Sequence, residues 1–193
     1  GVGVGLAAVV LTALFLWPPA FVAVAALAAG VGSWEMVRAV RLGGLRAPLA
    51  PILVGGTMTI GLAWSGGPSV LPLGLLATVL AVLVWRLGDG AAGYQRDVAA
   101  AIMIATYVPF LASFAVLLVR PDDGAMRVLV ALIGVVLSDT GGYVFGVFLG
   151  RHPMAPQVSP KKSWEGFAGS VTSTAVGGAI LLRATLVARL RDL

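Results

Sequence analysis

Apolar residues occupy this chain in long uninterrupted runs, and the few polar clusters fall between them. The first run, about 2–17, stops at Pro18-Pro19, a pair that helices do not cross easily. A second, about 20–40, carries Glu35 near its end and leads into Arg38, Arg41 and Arg46. The third, about 48–64, ends in Ser65-Gly66-Gly67-Pro68, and the fourth, about 69–87, ends in the polar stretch 86–97. The fifth, about 98–119, closes at Arg120-Pro121-Asp122-Asp123-Gly124. The sixth, about 125–150, contains Asp139, and a loop of roughly fifteen residues separates it from a seventh, about 166–187. Several runs approach the ~20 residues that cross a ~30 Å hydrocarbon core. The ten-residue alternation of a membrane β-barrel is absent. The pattern predicts an all-α, polytopic integral membrane helix bundle of about seven transmembrane helices. Short loops make it one transmembrane domain over 1–193.

Composition strengthens this reading. Only 11% of the 193 residues are charged and 59% are hydrophobic, against about 25% charged in soluble domains. The net charge of +5 reflects the basic loops of membrane proteins rather than a nucleic-acid partner. There is no cysteine, which excludes disulfides and thiolate metal sites. The N-terminus is apolar without a basic leader, so it reads as a first membrane helix and not a signal peptide.

Charge bias then orients the bundle. With the loop after the second run inside, the inner loops hold Arg38, Arg41, Arg46, Arg86, Arg96, Arg151, Lys161 and Lys162, and the outer loops hold Arg120 and Arg127. That places the 159–165 loop in the cytoplasm. Arg183, Arg189 and Arg191 disagree, because they follow a run that should end outside. Either that helix is longer or re-entrant, or the chain stops before the segment that would settle it; the second is preferred.

The chemistry concentrates in 138–169, SDTGGYVFGVFLGRHPMAPQVSPKKSWEGFAG. A carboxylate at membrane depth costs about 3 kcal/mol by insertion scales and marks a functional site by default. Asp139 is therefore a candidate for metal ligation or proton transfer, with a buried arginine pair as the simpler alternative. Gly142, Gly146 and Gly150 share one helix face, which suits close helix packing and would also leave room for a ligand. Lys161 and Lys162 could be plain anchors for anionic lipid. Pro156 and Pro160 stiffen their approach, Ser159 or Ser163 can cap the next helix, and Trp164 or Glu165 stands in its first turn. Lysines beside a helix N-terminus favour phosphate, and a nearby carboxylate that could hold Mg²⁺ completes a polyphosphate clamp. It is not a Walker A loop, because the glycine pattern is missing. Glu35 reads as an interfacial residue paired with Arg38, and the lone His152 as a loop residue.

The stretch DTGGYVFGVFLGRHPMAPQVSPKKSWEGFAGS closely resembles the phosphatidate cytidylyltransferases, the CDP-diacylglycerol synthases. The match runs through Asp139, Gly146, Gly150, His152, Ala155, Pro156, Ser159, Pro160, Lys162, Trp164, Glu165 and Gly166, and the Trp34-Glu35 pair also looks like the family. The resemblance implies a Mg²⁺-dependent reaction at a bacterial-type inner or plasma membrane, in which CTP and phosphatidate give CDP-diacylglycerol and pyrophosphate. It implies that Lys161, Lys162 and Asp139 carry the catalysis. Ser159, Lys161, Lys162, Trp164 and Glu165 would contact substrate, and Asp139 the metal. A homodimer is compatible with it. The family's downstream segment of basic pairs and further acidic ligands does not occur before Leu193. The chain is therefore read as part of such an enzyme, and residues 1–193 alone are expected to be inactive. The alternatives are a membrane lipid or prenol kinase, and a non-catalytic membrane module or transporter segment.

Overall fold

A computed structural model describes residues 2–157 and 159–191. The chain divides into two compact units, Gly1–Ala125 and Met126–Leu193.

The first unit is helical throughout. Helix α1 (Val2–Leu16) ends before Trp17, and Pro18 and Pro19 open α2 (Pro18–Leu42). Proline suits the first helical turn because its missing N–H would have no partner there. Helices α3 (Leu49–Gly66) and α4 (Leu71–Gly88) follow. Next come α5 (Tyr94–Ala105), a π-helical turn (Thr106–Phe110) and α6 (Leu111–Val119). These last three run on as one apolar rod, Tyr94–Val119. The π turn sits at Pro109, which lacks the N–H that an α-helical bond would use. Gly56 of α3 leaves the space that the Pro109 ring takes up; a Cβ there would lie 2.7 Å from Pro109 Cβ.

Helices α3 and α4 approach most closely through a reciprocal pair of small residues. A Cβ on Gly74 would lie 2.9 Å from Thr59 Cα, and one on Gly55 would lie 2.7 Å from Thr78 Cγ2. Each threonine hydroxyl donates within its own helix, Thr59 to Gly55 O and Thr78 to Gly74 O, both at 2.7 Å. The hydroxyls are thereby satisfied where water is absent, and the backbones can meet. Around this seam lie two apolar clusters, one including Val37, Ile52, Val82 and Ile104, the other Ala29, Ile60, Leu71 and Val116. The outward faces are also apolar: Leu27 and Val54 are each 71% exposed. Buried hydroxyls and an exposed aliphatic surface describe a protein whose solvent is lipid.

One end of this unit is closed by a buried ion pair. Arg86, 0% exposed, donates from Nε and Nη2 to Asp97 Oδ2 at 2.9 and 2.7 Å. It also donates to Gly90 O and Ala92 O, and Asp97 Oδ1 accepts the Arg46 N–H at 2.8 Å. The α2–α3 and α4–α5 loops are thus tied together by one carboxylate. The hydropathy pattern placed both residues in a polar connection, and the structure makes them core.

The second unit contains α7 (Gly124–Leu149) from Met126 onward. A two-stranded antiparallel hairpin follows, β1 (Pro153–Ala155) and β2 (Ser159–Ser163), and then α8 (Trp164–Arg191). The hairpin occupies the connection expected to be irregular. Helix α8 continues to Arg191, so Arg183, Arg189 and Arg191 lie within a longer helix and do not follow it. The longer helix is one of the two alternatives weighed for the charge mismatch.

Among the described residues, seven helical rods stand at the seven apolar runs. Five of them are long and apolar enough to cross a membrane: Pro18–Leu42, Leu49–Gly66, Leu71–Gly88, Tyr94–Val119 and Gly124–Leu149. Helix α1 has 15 residues and falls short of the ~20 needed. The protein is an integral membrane protein.

Candidate functional site

The second unit builds its site around the α7–α8 crossing. Gly166 of α8 meets Gly142 and Gly146 of α7: a Cβ on Gly166 would lie 3.0 Å from Gly142 O and 3.2 Å from Gly146 Cα. Ser170 donates to Ser138 O at 2.8 Å, tying α8 to α7 one residue before Asp139. The glycine face therefore serves helix packing. It also lines a cleft of about 350 Å³, which Asp139 from α7 and Lys161 and Lys162 from β2 line as well. Ser163, Phe167 and Ser170 complete the wall toward α8.

Strand geometry alone would not send two consecutive lysines into one cleft, because neighbouring side chains on a strand alternate. The hairpin breaks that alternation. Pro153 pairs with Ser163 and Ala155 with Ser159, with an irregular register between. Met154 therefore faces three residues of β2, and a bulge of this kind re-aims side chains. Both lysines are exposed, and both line the cleft.

The hairpin base is fixed to the start of α8. The Trp164 N–H donates to His152 O at 3.0 Å. Ser163 caps the helix, its Oγ accepting the Gly166 N–H at 3.2 Å. Glu165 Oε2 accepts the N–H groups of Arg151 and His152 at 3.1 and 3.2 Å, and Oε1 lies 2.6 Å from His152 Nδ1. The His152 hydrogen bond, followed by the backbone donors, holds the Glu165 carboxyl down at about 2.

Not every expected site residue reaches the cleft. Among the described residues, its lining includes Asp139, Lys161 and Lys162 but not Ser159, Trp164 or Glu165. Ser159 pairs with Ala155 in the hairpin. Trp164 is exposed and stacks edge-on against Phe167, with centroids 6.0 Å apart. His152, read from sequence as a plain loop residue, has a defined partner in Glu165. The buried Arg86–Asp97 pair was also missed. Opposite charges flanking the glycine-rich turn 88–93 were the available signal.

A metal ion finds a partial donor set here. Among the described residues, no three His, Asp or Glu side chains converge to hold one. Asp139 is the one carboxylate of the described cleft lining. Mg²⁺ is usually held by one or two carboxylates plus substrate phosphates and water, and Asp139 fits one such position for an ion carried by a polyphosphate.

A sequence profile described as the cytidylyltransferase family matches residues 1–189. The chain belongs to the cytidylyltransferase family. The resemblance drawn from 139–170 is borne out. The phosphatidate cytidylyltransferase of Mycobacterium leprae is 40% identical over 203 residues, covering 97% of this chain and 64% of that protein. That of Mycobacterium tuberculosis H37Rv is 36% identical, covering 95% of this chain and 61% of that protein. The human phosphatidate cytidylyltransferase 1 is 45% identical over 58 residues, 30% of this chain. The chain thus spans somewhat under two thirds of the length of these mycobacterial relatives. No solved structure matches it.

Proposed function

We propose that this cytidylyltransferase chain forms the phosphate-handling part of a membrane enzyme that makes CDP-diacylglycerol and pyrophosphate from CTP and phosphatidate. The observation that carries the proposal is the convergence of Lys161, Lys162 and Asp139 on one cleft. Relatives named for that activity support the substrate assignment.

The reaction needs no enzyme nucleophile. An oxygen of the phosphatidate phosphate attacks the α-phosphorus of CTP, the bond from that phosphorus to the bridging oxygen breaks, and pyrophosphate leaves. The enzyme's part is alignment and neutralisation of charge. Lys161 and Lys162 hold the β- and γ-phosphates and meet the charge that grows on the leaving group. Asp139 would help hold the Mg²⁺ that accompanies the triphosphate, and that ion would screen the charge of the phosphates. The bulged hairpin keeps both lysines on one side of that group. The bias of arginine and lysine toward the expected inner ends of the apolar runs supports a cytoplasmic site in a bacterial inner membrane, where CTP is available.

The test is turnover by the full-length protein in detergent with CTP and phosphatidate, reading pyrophosphate and CDP-diacylglycerol together. Lys162→Ala is expected to lower turnover by about 10²–10³ while leaving the melting profile in place. Undiminished turnover in that variant would remove the clamp. Release of a nucleoside diphosphate with a newly phosphorylated lipid would replace the reading with a lipid kinase.

A further inference from the structure

Glu165 joins the two sides of the hairpin base and is not among the described residues that line the cleft. Its Oε2 accepts the Arg151 and His152 N–H groups, immediately before β1, and its Oε1 meets His152 Nδ1. Glu165 itself follows β2 directly, in the first turn of α8. One carboxylate therefore binds the chain entering the hairpin to the chain leaving it, four residues from Lys161 and three from Lys162. A hairpin of three and five residues has too few ladder bonds to hold its own shape. The Trp164–His152 backbone bond and the Pro153–Ser163 pairing lie at the same base, so its rigidity depends on a small set of groups around Glu165.

We infer that Glu165 is a positioning residue, clamping the base of the β1–β2 hairpin so that Lys161 and Lys162 are both presented to the cleft. The inference rests on the reading of those lysines as phosphate ligands, but its structural half stands apart from any reaction. Three of the carboxylate's acceptor positions are already taken by the hairpin base. A purely structural role would leave the lysines indifferent to its loss.

Limited trypsin digestion of the full-length protein in detergent reads the clamp directly, because the bonds after Lys161 and Lys162 lie in β2. Glu165→Ala is expected to raise cleavage there about tenfold or more, with cleavage after other basic residues unchanged. Glu165→Gln keeps an acceptor oxygen and should recover most of the protection. His152→Ala removes only the exposed partner and should give an intermediate rate, which keeps the test usable if Glu165→Ala folds poorly. Turnover supplies the second arm. Because Glu165 acts through the lysines, Glu165→Ala combined with Lys162→Ala should lower turnover by less than the product of the two single effects. Unchanged cleavage in Glu165→Ala, or full additivity in the double variant, overturns the assignment. Altered cleavage in a protein that shows no CTP turnover would uphold the clamp and refute the proposed reaction instead.

Discussion

His152 Nδ1 and Glu165 Oε1 lie 2.6 Å apart, joining the residue before β1 to the second residue of α8. This contact is the largest cause of the lowered Glu165 pKa, from an ordinary 4.5 to about 2. The folded state favours the charged carboxylate. Its contribution is therefore complete above pH 4.5 and is lost as the pH falls from there through about 2. The carboxyl carbon of Glu165, followed by NMR in micelles, is expected to titrate with a midpoint near 2, and in His152→Ala to move back toward 4.5. A wild-type midpoint at 4.5 would mean that the clamp does not form.

Breaking the Arg86–Asp97 pair should be among the costliest single changes in the first unit. The side chains are 0% and 6% exposed, and removing one partner of a buried pair costs about 3–5 kcal/mol because the other charge is stranded. Asp97→Ala also strips the Arg46 N–H of its acceptor. Arg41→Ala, which removes an exposed guanidinium bonded to Ala47 O, should cost under about 1 kcal/mol. Unfolding curves in mixed micelles compare the two.

The helix crossing gives a paired test on glycine. Gly166→Val places a branched side chain against the backbone of Gly142 and Gly146. Overpacking of that kind costs about 1–3 kcal/mol. Gly134→Ala has nothing within 4 Å of the added carbon and should be neutral or stabilising by up to about 1 kcal/mol through helix propensity. Equal effects on thermal stability would show that the crossing is not as close as described.

Asp139→Asn keeps the shape of the cleft and removes its carboxylate. Turnover of CTP is expected to fall about 10²-fold, and the Mg²⁺ concentration for half-maximal rate to rise. Chelation by EDTA should abolish wild-type turnover and added Mg²⁺ restore it. An unchanged Mg²⁺ requirement in the variant would detach Asp139 from the metal.

The apolar runs located the helices well, because burial in lipid demands long stretches with their backbone bonds satisfied internally. They could not reveal the π turn at Pro109. Hydropathy registers neither a missing N–H nor the space that Gly56 leaves for the ring. They also placed Arg86 and Asp97 in a connection, since two charges near a run end look solvated until their partners are known. The motif at 159–166 did not separate the residues that line the cleft from those that hold the hairpin together.

The order of residues alone was enough for the membrane class and the family, since each depends on local composition or on a run of identities in register. Which side chains share a cleft depended on contacts between residues distant in the chain. Asp139, Lys161 and Lys162 line one cleft beside the crossing at which Gly142, Gly146 and Gly166 let α7 and α8 come close. Glu165 is drawn to the Arg151 and His152 N–H groups by the same folding of the hairpin. Spacing along the chain carries no information about a register shift such as the one opposite Met154.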